Sequence, residues 1–207
     1  MEARRFTCGL VSGNLKERFE RWVGPKLSIL TAIGVTPNLL TLMGLILSAA
    51  SAWFYINWNS NRLMLLLAAV TLLLSGLLDS IDGVLARITG KASLLGGFLD
   101  SLSDRYSDAM VLGAITASGL CGLSWGLAAL VGSMMVSYAR SRAEASGVDM
   151  RAVGLAERAE RILILSTATL LSYLNGEAIG WGVALLALLS HITVLQRVLH
   201  FYKKVRI

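Results

Sequence analysis

Charged residues are scarce in this 207-residue chain, at 15% of positions where a soluble domain carries about 25%. Hydrophobic residues reach 55% and mean hydropathy is +0.66, which excludes a disordered chain and most soluble enzymes. Proline is nearly missing, with two residues, so neither a collagen-like nor a proline-rich chain fits. Cysteine is equally sparse. Cys8 and Cys121 lie far apart with no metal-ligand spacing, and point to neither a disulfide framework nor a zinc site. The first 30 residues carry Arg4, Arg5, Lys16, Arg18, Arg21 and Lys26 and no apolar run long enough for a secretory leader. What remains is an all-α integral membrane protein. Its +6 net charge is then read for its distribution across the membrane, and no nucleic-acid partner is expected.

Six apolar segments, near 39–57, 63–84, 96–119, 123–143, 155–174 and 178–199, are each long enough to cross ~30 Å of hydrocarbon at ~1.5 Å per residue. Helix is the state expected for all six, because a lipid-exposed backbone must satisfy its own hydrogen bonds. With no internal repeat or linker, residues 1–207 read as one domain. Ahead of the first span, residues 15–33 read as an amphipathic helix on the membrane surface. Leu15, Phe19, Trp22 and Val23 share its apolar face, and Gly24-Pro25 interrupts it. Lys and Arg crowd the N-terminal arm, the 2–3 and 4–5 connections and the tail, whereas the opposite connections hold Arg62 alone. The positive-inside rule therefore predicts a multi-pass protein of the cell membrane with both termini cytoplasmic.

Five aspartates fall where a membrane helix can least accept them: Asp79, Asp82, Asp100, Asp104 and Asp108. Each ionised Asp near the middle of a span costs about 2.5–3.5 kcal/mol on insertion scales. Asp79 and Asp82 are three residues apart, Asp100 and Asp104 four, so each pair shares one helix face. If the second and third helices run antiparallel across the 85–95 turn, four carboxylates converge near the cytoplasmic side. Hard divalent cations resolve the repulsion. Oxygen ligands suit Mg²⁺, Mn²⁺ or Ca²⁺, two ions balance four charges, and the lack of nearby His or Cys argues against zinc. A proton or sodium pathway is the rival use of such a cluster. Gly83, Gly90, Gly96 and Gly97 allow close approach, and Arg87 is placed to meet phosphate.

Taken together, Asp79-x-x-Asp82-Gly83-x-x-Ala86-Arg87, eight residues, then Gly96-x-x-x-Asp100-x-x-x-Asp104 resembles the signature of the CDP-alcohol phosphatidyltransferases at every fixed position. The resemblance implies transfer of a phosphatidyl-type group from a CDP-lipid to an alcohol, with release of CMP. It implies that Asp79, Asp82, Asp100 and Asp104 hold two Mg²⁺ or Mn²⁺ ions, and that Asp104 is also the base. It further assigns CDP-lipid binding to Asn38, Leu39, Leu40, Thr41, Gly83, Arg87 and Ser93. Taken alone, Pro37 near a helix start with Asn38 as its cap is ordinary local structure.

Two further stretches, Ser137–Ala145 and Gly154–Arg161, resemble the branch that uses inositol 1-phosphate, the archaetidylinositol and phosphatidylinositol phosphate synthases. That likeness assigns the acceptor phosphate to Arg140, Arg158 and Arg197, although actinobacterial members typically carry Lys at the position of Arg140. Glycerol 3-phosphate, serine and free inositol are the alternative acceptors, and CDP-diacylglycerol and CDP-archaeol the alternative donors. An intramembrane prenyltransferase, which also sets two aspartate clusters on a diphosphate, generally needs more helices. An ion-coupled transporter leaves the spacing of Gly83, Ala86 and Arg87 unexplained. Small residues Gly113, Thr116, Ala117, Gly132 and Ser133 suit close helix packing, within the chain or in the homodimer that the resemblance implies. His191 and His200 read as packing residues.

Overall fold

The computed structural model of the chain describes Leu27 and residues 34–150 and 153–206. The amphipathic helix expected over 15–33 lies outside the described residues, apart from Leu27. Everything regular among those residues is helical.

The first helix, α1, spans Pro37–Ile56. A residue before proline is pushed into extended conformation, and Thr36 sits at φ −102°, ψ 152°. That is the backbone of a cap, and the Thr36 hydroxyl accepts from the Leu39 N–H at 3.3 Å. The cap is therefore Thr36, not Asn38, which already lies inside the first turn. A short 3₁₀ turn at Trp58–Ser60 leads to α2, Leu63–Ile88. Ser93 then caps α3, Leu94–Ala117, accepting from the Gly96 N–H at 3.0 Å. Next come α4, Leu123–Ala145, α5, Arg158–Asn175, and α6, Ala178–Val205.

The helices differ from the expected segments mainly at one end of the bundle. Both α2 and α6 run further, to Ile88 and Val205. By contrast, α5 starts three residues later than the apolar pattern suggests. Gly154 takes φ +133°, and the N–H groups of Leu155 and Ala156 both donate to the Thr193 hydroxyl, at 3.1 and 3.0 Å. Those donors go to α6 instead of opening a helix.

Packing places α1 against α2 and α3, α2 against α5, α6 against α4 and α5, and α3 against α4. The main core gathers Tyr55, Leu72, Ile115, Ala129, Ile179 and Leu186, and a smaller one joins Leu27 and Leu40 to Val84 and Leu85. Several polar side chains inside the bundle find partners across helices. Ser48 meets Ser75 at 2.7 Å, and the Tyr55 hydroxyl meets Thr169 at 2.7 Å. The outer face stays apolar, with Ile46, Trp53, Leu188 and Trp181 exposed. Among the described residues three helices, Pro37–Ile56, Leu63–Ile88 and Ala178–Val205, are long and apolar enough to cross a membrane. The others carry the charges of the site or are rich in small and polar residues.

Candidate active site

The five aspartates of α2 and α3 lie toward the end of the bundle that holds the α2–α3 turn. The C-terminal part of α2 supplies Asp79, Asp82, Gly83 and Arg87, and the first two-thirds of α3 supplies Asp100, Asp104 and Asp108. Arg140 comes from the end of α4, Arg158 and Arg161 from the start of α5, and Arg197 from the last third of α6. A cavity of about 540 Å³ is lined by Asp79, Asp82, Asp100 and Asp104 together with Gly83 and Arg87. The same cavity is lined by Arg140, Arg158 and Arg197. Carboxylates and arginines expected from separate stretches of sequence thus share one space.

Asp79, Asp82 and Asp100 each place a carboxylate oxygen within 4.8 Å of the others. Thr41, one turn into α1, donates to Asp82 Oδ2 at 2.6 Å and fixes that carboxylate. Asp100 Oδ1 is buried without a hydrogen-bond partner among the described residues. A buried, unpartnered carboxylate oxygen beside two further carboxylates is costly unless a cation faces it. The donor set is all oxygen, so the residues fit a hard divalent ion.

Asp104 stands apart from this trio. Its Oδ1 takes Arg158 Nη1 at 2.8 Å, and the same nitrogen meets Asp79 Oδ1 at 2.7 Å. Arg158 therefore bridges the aspartate pairs of α2 and α3. Behind it, Asp108 Oδ2 accepts from Arg161 Nη2 at 2.7 Å.

The remaining expected residues fall into two groups. Arg140 is half-exposed and pairs with Glu144 at 2.9 Å, one turn along α4. Arg197 is buried, and its guanidinium donates to two backbone carbonyls, Val153 at 2.8 Å and Val136 at 2.5 Å. It ties the segment before α5 to α4 as well as lining the cavity. Asn38 and Ser93 both adjoin Gly96, where a Cβ would lie 3.2 Å from Asn38 Oδ1 and 3.1 Å from Ser93 Oγ. Leu39 is exposed, whereas Leu40 packs into the smaller core. None of these four lines the large cavity, and Thr41 reaches the site through Asp82.

Comparison with known proteins decides the family: the pattern of the CDP-alcohol phosphatidyltransferases matches residues 34–195. The chain belongs to that family. It is a CDP-alcohol phosphatidyltransferase, and its family and apolar helices make it a membrane protein. An archaetidylinositol phosphate synthase of Pyrococcus horikoshii is 42% identical over 175 residues, covering 84% of this chain and 88% of that one. Two solved structures of the phosphatidylinositol phosphate synthase of Mycobacterium tuberculosis are similar. The one with CDP-DAG bound has TM-score 0.74 at 30% identity, covering 88% of this chain and 94% of the other. The one in complex with manganese and citrate has TM-score 0.73 at 31% identity, covering 86% and 88%. The cofactor of this transferase is accordingly a divalent metal, and the aspartate cluster has the oxygen donors to hold one.

The sequence reading gave no role to Arg161, Glu157 and Ser137, and counted Asp108 only as a misplaced acid. Glu157, Arg161 and Ser137 all line the large cavity. The available signal was periodic: Asp108 repeats Asp104 at four residues, and Arg161 repeats Arg158 at three.

Proposed function

We propose that the enzyme moves a phosphatidyl or archaetidyl group from CDP-diacylglycerol or CDP-archaeol to 1D-myo-inositol 1-phosphate and releases CMP. One observation carries the choice of acceptor: Arg140, Arg158 and Arg197 line the same cavity as the four aspartates. Arg158, Arg197 and Arg140 also meet Asp79 and Asp104, two backbone carbonyls and Glu144, and a phosphate is the acceptor group that makes charge-assisted use of several guanidinium groups at once. The names of the Pyrococcus and Mycobacterium relatives support the same reading.

In this reading Asp79, Asp82, Asp100 and Asp104 hold two Mg²⁺ or Mn²⁺ ions, which when bound supply positive charge to the diphosphate. Gly83 leaves space at the wall of the cavity, and Arg87 offers its planar fork to a phosphate. Asn38, Leu39, Leu40, Thr41 and Ser93 complete the donor side from the α1 start and the α2–α3 turn. Asp104 accepts the proton of the acceptor hydroxyl. The hydroxyl oxygen bonds to the phosphorus that carries the lipid alcohol, the bond from that phosphorus to the bridging oxygen breaks, and CMP leaves with that oxygen.

Chain organisation follows from the same reading. Residues 1–207 form one domain of six membrane helices behind an amphipathic segment at 15–33. The site and both termini face the cytoplasm, where Lys and Arg are concentrated. Two copies associate as a homodimer. The test of function is an acceptor panel. Purified enzyme with Mn²⁺ is given each CDP-lipid with inositol 1-phosphate, free inositol, glycerol 3-phosphate or serine, and products are identified. Inositol 1-phosphate is expected to yield a phosphorylated inositol lipid and stoichiometric CMP. Faster turnover of another acceptor would replace the assignment.

A further inference from the structure

One charge pair near the site stands apart from the three-aspartate cluster. Arg161 is 4% exposed, and its partner Asp108 is partly buried, with its side chain 13% exposed. A buried ion pair of this kind is a weak source of stability, because an apolar pair of similar volume is often as good or better. Its value has to lie elsewhere, and the geometry shows where. Asp108 uses its two oxygens on two arginines: Oδ2 meets Arg161 Nη2 at 2.7 Å, and Oδ1 faces Arg158 Nε at 3.9 Å. Arg158 in turn meets Asp79 and Asp104 through Nη1, at 2.7 and 2.8 Å. The guanidinium of Arg158 is therefore held between two sets of carboxylates, one at its tip and one at its stem side.

Asp79 and Asp104 hold the tip of Arg158 through Nη1, and Asp108 faces its stem side through Nε. We infer that Asp108, anchored by Arg161, is a positioning residue that fixes the stem side of the Arg158 guanidinium and so sets the angle at which its tip, between Asp79 and Asp104, is presented to the phosphate of the acceptor. The surroundings suit an anchor. A small cavity of about 20 Å³ beside the pair is lined by Ser107 and Ser133, with Asp108, Arg158 and Arg161. It is large enough for one water. Ser133 Oγ and Arg161 Nε and Nη1 are buried there without hydrogen-bond partners among the described residues, and one water would satisfy several of them.

The inference rests on Arg158 serving the acceptor, as proposed above, and its test separates the two ideas. Wild-type turnover of inositol 1-phosphate tests the functional reading. Two variants test the positioning role, each followed by thermal unfolding, Mn²⁺ affinity from electron paramagnetic resonance, and two-substrate kinetics at saturating Mn²⁺. Asp108→Asn is expected to raise the acceptor KM about tenfold, while the CDP-lipid KM and the Mn²⁺ affinity change less than twofold. It also leaves Arg161 buried and unpaired, so its stability falls. The double variant Asp108→Leu/Arg161→Met removes both charges and should recover stability while the acceptor KM stays impaired. Recovery of the acceptor KM along with stability would make the pair purely structural and overturn the inference. So would an unchanged acceptor KM in folded Asp108→Asn.

Discussion

Thr41 and Asp82 meet at 2.6 Å across α1 and α2, so the α1 start contributes to the site by holding a carboxylate rather than by lining the large cavity. The same economy applies to each acid. Asp100 Oδ1 is buried and unpartnered among the described residues, so Asp100→Asn removes the charge that a cation neutralises while keeping the side chain's size. Loss of a direct ligand should exceed the ~10–100-fold that outer partners of a metal are worth. Equilibrium Mn²⁺ binding checks this, and wild-type affinity in Asp100→Asn would remove the residue from the metal site. Asp104 differs, being held by Arg158 rather than grouped with the trio. As a general base it is worth ~10²–10⁴-fold in rate. Asp104→Asn should therefore lose turnover while keeping most of its CDP-lipid affinity, measured by direct binding. An equal collapse of both would make it a ligand only.

Periodicity within a helix was legible, and contact between distant helices was not. The three- and four-residue spacings of the aspartates announced two shared faces, and α2 and α3 do bring Asp79, Asp82 and Asp100 within 4.8 Å. The bridge from Arg158 to Asp79 and Asp104 joins residues on three helices, and no spacing encodes it. The late start of α5 was hidden for a similar reason, since Thr193 on α6 claims the N–H groups. Small residues were visible as a class without their partners. Gly126 packs against Thr116, and Gly132 against Ser190 and His191, so those faces serve packing within the chain, and a Cβ at Gly113 would meet nothing. One close approach of α5 and α6 is Gly182 on Ala168, where an added Cβ would overlap the alanine methyl. Gly182→Ala should cost about 1–3 kcal/mol as overpacking. Adding Ala168→Gly should restore much of the thermal stability. If Gly182→Ala is as stable as wild type, that contact does not set the helix spacing.

On the scale of the whole molecule, length and composition mark three of the described helices as spans, whereas α3 carries Asp100, Asp104, Arg105 and Asp108 and α5 carries Arg158, Glu160 and Arg161. Sidedness can be read directly with introduced thiols. Half-burial pushes the Cys121 thiol up, so it is a poor probe, and both Cys8 and Cys121 should be replaced by Ser. In intact cells a membrane-impermeant maleimide should label Ser60→Cys, in the exposed α1–α2 connection. Ser146→Cys, beyond the end of α4, should react only after permeabilisation. The reverse pattern would invert the topology. The central claim is that this cavity reads an acceptor phosphate with arginines that the donor does not need, and Arg140 is the cleanest probe of it. Arg140 lines the cavity, touches none of the four aspartates and keeps an exposed partner in Glu144, a pair worth little to stability. The decisive measurement is two-substrate kinetics of wild type and Arg140→Gln at saturating Mn²⁺. A charge-assisted hydrogen bond worth about 1.5–3 kcal/mol predicts a KM for inositol 1-phosphate roughly 10–100-fold higher, with the KM for CDP-lipid within about twofold of wild type. Equal losses for both substrates, or an unchanged acceptor KM, would contradict the account.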